Sequence, residues 1–116
     1  MQRGDVFEAK LDPVEGSEQG GVRPVVIVSR DKINAYSPIV IIAPISKLAN
    51  FARVYPSQLT LQAGAGGLTV ASVVMAEQVR TISKTRLTRQ LGSLSQPLLQ
   101  QLDEKLKIAL GLSDRP

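Results

Sequence analysis

The chain contains no cysteine, no histidine and no tryptophan. Without cysteine there are no disulfides and no thiolate metal sites, which points to the cytoplasm. Without histidine the commonest general acid–base and the commonest metal ligand are missing, so any chemistry must run on Arg, Lys, Asp, Glu, Ser, Thr or Tyr. Aromatics make up only 3%, namely Phe7, Tyr36, Phe51 and Tyr55. That argues against a single-stranded nucleic-acid binder built on stacked aromatic platforms. No apolar run reaches the roughly 18 residues of a membrane span. The start of the chain, with Arg3, Gly4 and Asp5, predicts no signal peptide.

What is present describes one ordinary globular domain over residues 1–116: 43% hydrophobic, 21% charged, net charge +4. From Gln78 to Leu102 no acid interrupts Arg80, Lys84, Arg86 and Arg89. Such a run is either a solvated face or an electrostatic footprint for phosphates.

Alternation predicts a half-buried strand over 4–11, with Phe7, Ala9 and Leu11 on one face. The β-branched run at 24–29 predicts a central strand. Residues 39–45 predict another, irregular or at an edge where Pro44 cannot donate to a ladder. Further strands are expected at 58–61 and 70–76, with 79–82 extending the latter. Loops are expected at 12–21 and 30–38, and a glycine turn at 63–67. Ser83 could cap a short helical turn. The last element is a helix with Ser95 as N-cap, Pro97 in its first turn and Gly111 at its end. Leu98, Leu102, Leu106 and Ala109 keep helical spacing, and Leu99, Leu110 and Leu112 widen the stripe. About five strands and a C-terminal helix give a mainly β (α+β) fold, a small curled antiparallel sheet or barrel with the helix packed on it.

Three polar sets interrupt the apolar pattern at strand ends: Ser17, Glu18 and Gln19 with Arg23; Ser46 with Lys47; and Glu77 and Gln78 with Arg80 and Thr81. An arginine fixed at a strand mouth beside glycines suits phosphate or carboxylate recognition, although a solvated hairpin arginine fits the same pattern. RNA cleavage needs no external nucleophile, because the ribose 2′-hydroxyl attacks the adjacent phosphate. The protein has to position the backbone, manage a proton and stabilise charge on phosphorus. A competing arrangement, Mg²⁺ held by Asp12, Glu15 and Glu18, has no recognisable motif spacing. Gly64-Ala65-Gly66-Gly67 is not a phosphate loop.

The segments Arg3-Gly4-Asp5-Val6, Leu11-Asp12-Pro13, GSEQGGVRPVVIV at 16–28 and SVVMAEQVRTI at 72–82 together resemble the MazF/PemK toxins, or mRNA interferases. Asn34, Ser37-Pro38 and Asn50-Phe51-Ala52-Arg53 fit the same pattern. The resemblance implies an SH3-like antiparallel β-barrel with a C-terminal α-helix, forming a homodimer. It implies a metal-independent, cofactor-free endoribonuclease cutting single-stranded RNA to 2′,3′-cyclic phosphate and 5′-hydroxyl ends. It also implies a cognate antitoxin whose acidic, flexible C-terminal segment occupies the RNA groove. Arg23 matches the family's catalytic arginine, and Ser46 falls where many members have a catalytic threonine. Glu77 falls where one branch has an acid proposed to take part in cleavage, while Met75 replaces that branch's additional arginine. Ser17, Glu18, Gln19, Lys47, Gln78 and Arg80 are expected to contact RNA. The gyrase-binding toxins of the CcdB type share the barrel but depend on a tryptophan near the C-terminus. Here the chain ends Ser113-Asp114-Arg115-Pro116. A non-catalytic SH3-like module is the third reading, and no aromatic-lined groove supports proline-rich peptide binding.

Overall fold

A computed structural model describes residues 1–113; Asp114, Arg115 and Pro116, part of the tail compared with the gyrase-binding toxins, lie outside the described residues. Seven strands and two helices follow the order β1 (Asp5–Lys10), β2 (Val22–Ile27), α1 (Asp31–Tyr36), β3 (Ile39–Lys47), β4 (Gln58–Leu61), β5 (Ser72–Met75), β6 (Arg80–Ser83), β7 (Leu87–Ser93) and α2 (Gln96–Ala109). All pairings are antiparallel, along the path β4-β5-β3-β2-β1-β7, with β6 also on β3. The sheet curls without a ladder between β4 and β7 among the described residues. The glycine turn at 64–67 packs on β7 instead: a Cβ on Gly67 would lie 2.0 Å from the Leu91 carbonyl oxygen.

Both faces of the sheet are covered, which explains the continuous apolar run of β2. Val26, Ala43, Ile45, Leu61 and Val74 face α2, whose Leu99 and Leu102 are buried among them. The opposite face of the same strands, with Val25, Ile27, Val40, Ile42 and Ile82, joins Ala9 and Leu11 in an inner core. Ser95 caps α2 by accepting from the Leu98 amide, as its sequence predicts. Leu110 and Leu112, read as part of the apolar stripe, are instead exposed beyond the helix end. Arg3 fastens α2 to the sheet through Asp103 and donates its Nε to the Val28 carbonyl at 2.9 Å.

Two elements differ from the sequence expectation. Residues 31–36 form a helical turn and a half rather than a loop, held by Asn34, which is buried and donates to the Ser29 carbonyl at 2.8 Å. Residues 87–93 form the strand β7, whose polar sequence hides it: Thr88, Arg89 and Gln90 are all exposed, and its ladder with β1 is broken by register shifts.

Of the two readings of Pro44, an irregular place or an edge, the structure gives the first: Pro44 lies inside the central strand β3, opposite a register change. The chain tolerates it for a geometric reason. The Pro38 carbonyl accepts from Lys84 and the Leu48 amide donates to Ala71, so even-numbered positions of β3 direct their backbone groups toward β5 and β6. On that side the register changes by three residues between Ile45↔Val74 and Ile42↔Arg80. The 3-10 turn Ala76–Gln78 is the inserted segment, so Pro44 faces it between the two registers, where the missing N–H interrupts no strand pairing.

The tight approach at Gly67 generates a stability prediction. Gly67→Ala, at φ +78°, should destabilise by about 2–5 kcal/mol through strain and the clash with Leu91. Gly64→Ala, at φ +96° with open space around it, should cost only the backbone strain, about 1–2 kcal/mol. Denaturant midpoints of the two variants measure the difference.

Candidate nucleic-acid interface and reactive cleft

The site forms where the inner-core columns run out. On β2 the face carrying Ile27 and Val25 ends in Arg23. On β3 the face carrying Ile42 and Pro44 ends in Ser46. The ladder pairs Val25 with Pro44; continued two residues, it sets Arg23 opposite Ser46 on the same face. The two residues line a cleft of about 270 Å³ together with Val22, Pro24, Ile45, Lys47 and Asn50.

Arg23 is half-buried and tightly aimed. Its Nε donates to the Gly20 carbonyl at 2.6 Å and its Nη1 to Gln19 Oε1 at 2.6 Å. Its Nη2 has no protein acceptor among the described residues and is available to an anion. The loop that holds it is itself closed at the root. Leu11 N donates to Gly21 O at 2.9 Å, and Gly21 N to Asp12 Oδ1 at 2.9 Å. Arg86 Nη1 donates to the carbonyls of Lys10 and Asp12. A Cβ on Gly20 would meet Asp12 Oδ1 at 2.5 Å and Val14 Cγ2 at 2.7 Å, so a side chain there would displace the carboxylate that holds the Gly21 amide.

Ser46 Oγ accepts from Asn50 Nδ2 at 3.1 Å. That leaves the hydroxyl proton for an oxygen in the cleft. The sequence alone does not mark Asn50 as a site residue. Its place four residues after Ser46, where the chain leaves β3 in a 3-10 turn, is the signal that could have found it.

The third polar set lies beside this cleft rather than in it. Ser17, Glu18, Glu77, Gln78, Val79 and Arg80 line a neighbouring depression of about 450 Å³. The two are joined through hydrogen bonds: Gln19 N donates to Gln78 Oε1 at 2.9 Å, and Gln19 in turn holds Arg23. Glu77 turns its carboxylate toward β4, accepting from Gln58 Nε2 at 2.6 Å and Ser57 Oγ at 3.3 Å. Arg80 presents a buried Nη1 without a hydrogen-bond acceptor. A desolvated guanidinium nitrogen of this kind is costly unless an anion completes it.

The basic run of β6 and β7 does not act as one patch. Arg86 is spent on loop carbonyls and Arg89 pairs with Glu8 at 3.6 Å. Nor do the loop acids converge: Asp12 accepts from Gly21, and Glu18 from the Glu15 amide at 2.9 Å. No group of three or more potential metal-ligating side chains occurs among the described residues.

The sequence model for the PemK-like, MazF-like toxins of type II toxin–antitoxin systems matches residues 2–110. The fold is similar to MazF from Deinococcus radiodurans, with 28% identity over 96% of each chain and a TM-score of 0.81. A MazF toxin of Mycobacterium tuberculosis gives 28% identity, 94% of this chain against 98% of that one, and a TM-score of 0.78. An endoribonuclease of a mycobacterial species, solved with its cognate antitoxin, shares the fold at 23% identity over 99% of each chain, with a TM-score of 0.80.

The loop anchoring is testable. Asp12→Ala removes the acceptor of the Gly21 amide, whose hydrogen exchange should accelerate about 10-fold, while Asp12→Asn should retain most of the protection. Exchange measured by NMR on both variants checks it.

Proposed function

Because the chain belongs to the PemK-like, MazF-like toxins of type II toxin–antitoxin systems, we propose that it is an endoribonuclease whose reactive cleft is built on Arg23 and Ser46. The observation that carries this reading is the shared cleft: a fixed guanidinium with a free edge stands opposite a hydroxyl whose proton is free to donate. That is a phosphate site, and single-stranded RNA brings its own nucleophile to it.

In the reaction the ribose 2′-oxygen bonds to phosphorus and the bond from phosphorus to the 5′-oxygen breaks. The 2′-proton leaves through a phosphoryl oxygen or water, and a proton from solvent caps the departing 5′-oxygen. The ends are a 2′,3′-cyclic phosphate and a 5′-hydroxyl. Arg23 Nη2 stabilises the charge that develops on the phosphoryl oxygens, and Ser46 Oγ–H fixes the orientation of the scissile phosphate. Lys47 adds positive charge at the rim of the same cleft. No metal or organic cofactor enters this scheme.

Ser17, Glu18, Gln19 and Arg80 form the continuation of the RNA path, with the Arg80 guanidinium donating to a backbone phosphate, while Gln78, whose carboxamide is bonded to the loop backbone, forms its wall. Of the two roles open to Glu77, proton uptake or contact with a base, its place in the neighbouring depression rather than in the Arg23–Ser46 cleft favours the second, with Gln58 and Ser57 holding its carboxylate from the β4 side. The same cations suit the acidic C-terminal segment of a cognate antitoxin, a partner that the mycobacterial relative carries in its complex. The working form is a homodimer in the cytoplasm. No helix among the described residues is long and apolar enough to cross a membrane.

Incubating the purified protein with a long single-stranded RNA in EDTA, then mapping the ends, tests the reading. Discrete cuts with cyclic-phosphate termini are expected. Loss of cutting in EDTA would point to metal chemistry, and no cutting under any condition to a binding protein. Arg23→Ala should lower cleavage by about 10³-fold and Ser46→Ala by about 10–10²-fold, both with unchanged melting. Glu77→Gln should stay within about 10-fold of wild type. Single-turnover rates on one mapped site measure all three.

A further inference from the structure

Gln78 ends the three-residue insert between β5 and β6, and its carboxamide spans to a loop 59 residues earlier in the chain. Oε1 accepts from the Gln19 amide at 2.9 Å, and Nε2 donates to the Ser17 carbonyl at 3.1 Å. Both bonds are to backbone, so the side chain closes on the loop as a neighbouring strand would. The segment that it grips carries one anchor of Arg23, the Gln19 side chain, and runs directly into the other, the Gly20 carbonyl. We propose that Gln78 is a positioning residue for Arg23: it clamps residues 17–19 and thereby sets the angle at which the guanidinium enters the reactive cleft. For its kinetic consequence this rests on the endoribonuclease reading above.

The chemistry selects glutamine. The clamp needs a donor and an acceptor on one planar group at the end of a two-carbon stem. Glutamate supplies only acceptors, methionine neither group at similar length. The insert supplies the rest, since the ladder of β6 on β3 and the Val79 N–Ala76 O turn bond at 3.2 Å fix the base of the side chain. A residue that only touched RNA would have no need to hold two backbone groups of the opposite loop.

The test uses the full chain with Gln78→Met and Gln78→Glu. Gln78→Met should speed exchange of the Gln19 amide about 10-fold, whereas Gln78→Glu, which can still accept from that amide, should protect it. On a single-site RNA, Gln78→Met should lower kcat about 10-fold with KM within about twofold. In a Gln19→Ala background, where the side-chain link to Arg23 is cut and only the Gly20 carbonyl still holds it, the same change should alter kcat by less than about threefold. A raised KM with unchanged kcat would make Gln78 a direct RNA contact and overturn the proposal, as would full additivity with Gln19→Ala. Unchanged Gln19 exchange in Gln78→Met would overturn it regardless of activity. If the wild-type chain cuts no RNA, the endoribonuclease reading fails, and the exchange measurements alone still decide whether the clamp exists.

Discussion

The antiparallel register of β2 on β3 governs the rest of this molecule. With Val25 opposite Pro44, side chains of both strands share a face, and that face holds Ile27, Val25, Ile42 and Val40 in the inner core. A slip of one residue would turn every one of these side chains to the other face. The same register, carried to the strand ends, sets Arg23 against Ser46. Core packing and the reactive cleft therefore follow from one pairing, and hydrophobic burial holds the polar pair in place.

The three-residue insert at Ala76–Gln78 is the second constraint. It interrupts what would otherwise be one long strand along β3, and it does so opposite Pro44, the position with no N–H to give. Ala76 remains buried against α2, while Glu77 and Gln78 are turned out of the sheet. An irregularity in the ladder thus becomes a polar ledge. From it Gln78 reaches the loop that holds Arg23, and Glu77 meets Gln58. Bulges next to functional sites commonly re-aim side chains in this way.

Among the alternatives open on sequence, the geometry is unequal in its support. The loop acids Asp12, Glu15 and Glu18 are engaged with backbone amides or set apart, and they do not form a cation cage. A plain interaction module would have no use for a guanidinium fixed by two 2.6 Å hydrogen bonds yet left with a free edge. Two hydrogen bonds from within the protein hold Arg23, which suits the electrostatic role proposed for it.

By itself the sequence determined the local elements with strong periodicity or capping. It determined the β-branched strands, the α2 helix from Ser95 onward, and the absence of imidazole and thiol that leaves arginine and hydroxyl groups for phosphate chemistry. Its motif order also sufficed to identify the family. Tertiary structure decided what depends on partners distant in the chain. The strand β7 is visible only through its ladder to β1, because its side chains are mostly solvated. Pro44 reads as a strand end until the gap opposite it is seen. The cleft joins Arg23 to Ser46 but leaves Glu77 next door, because a register and an insert lying some fifty residues further on, neither of them a local property, set which strand ends meet.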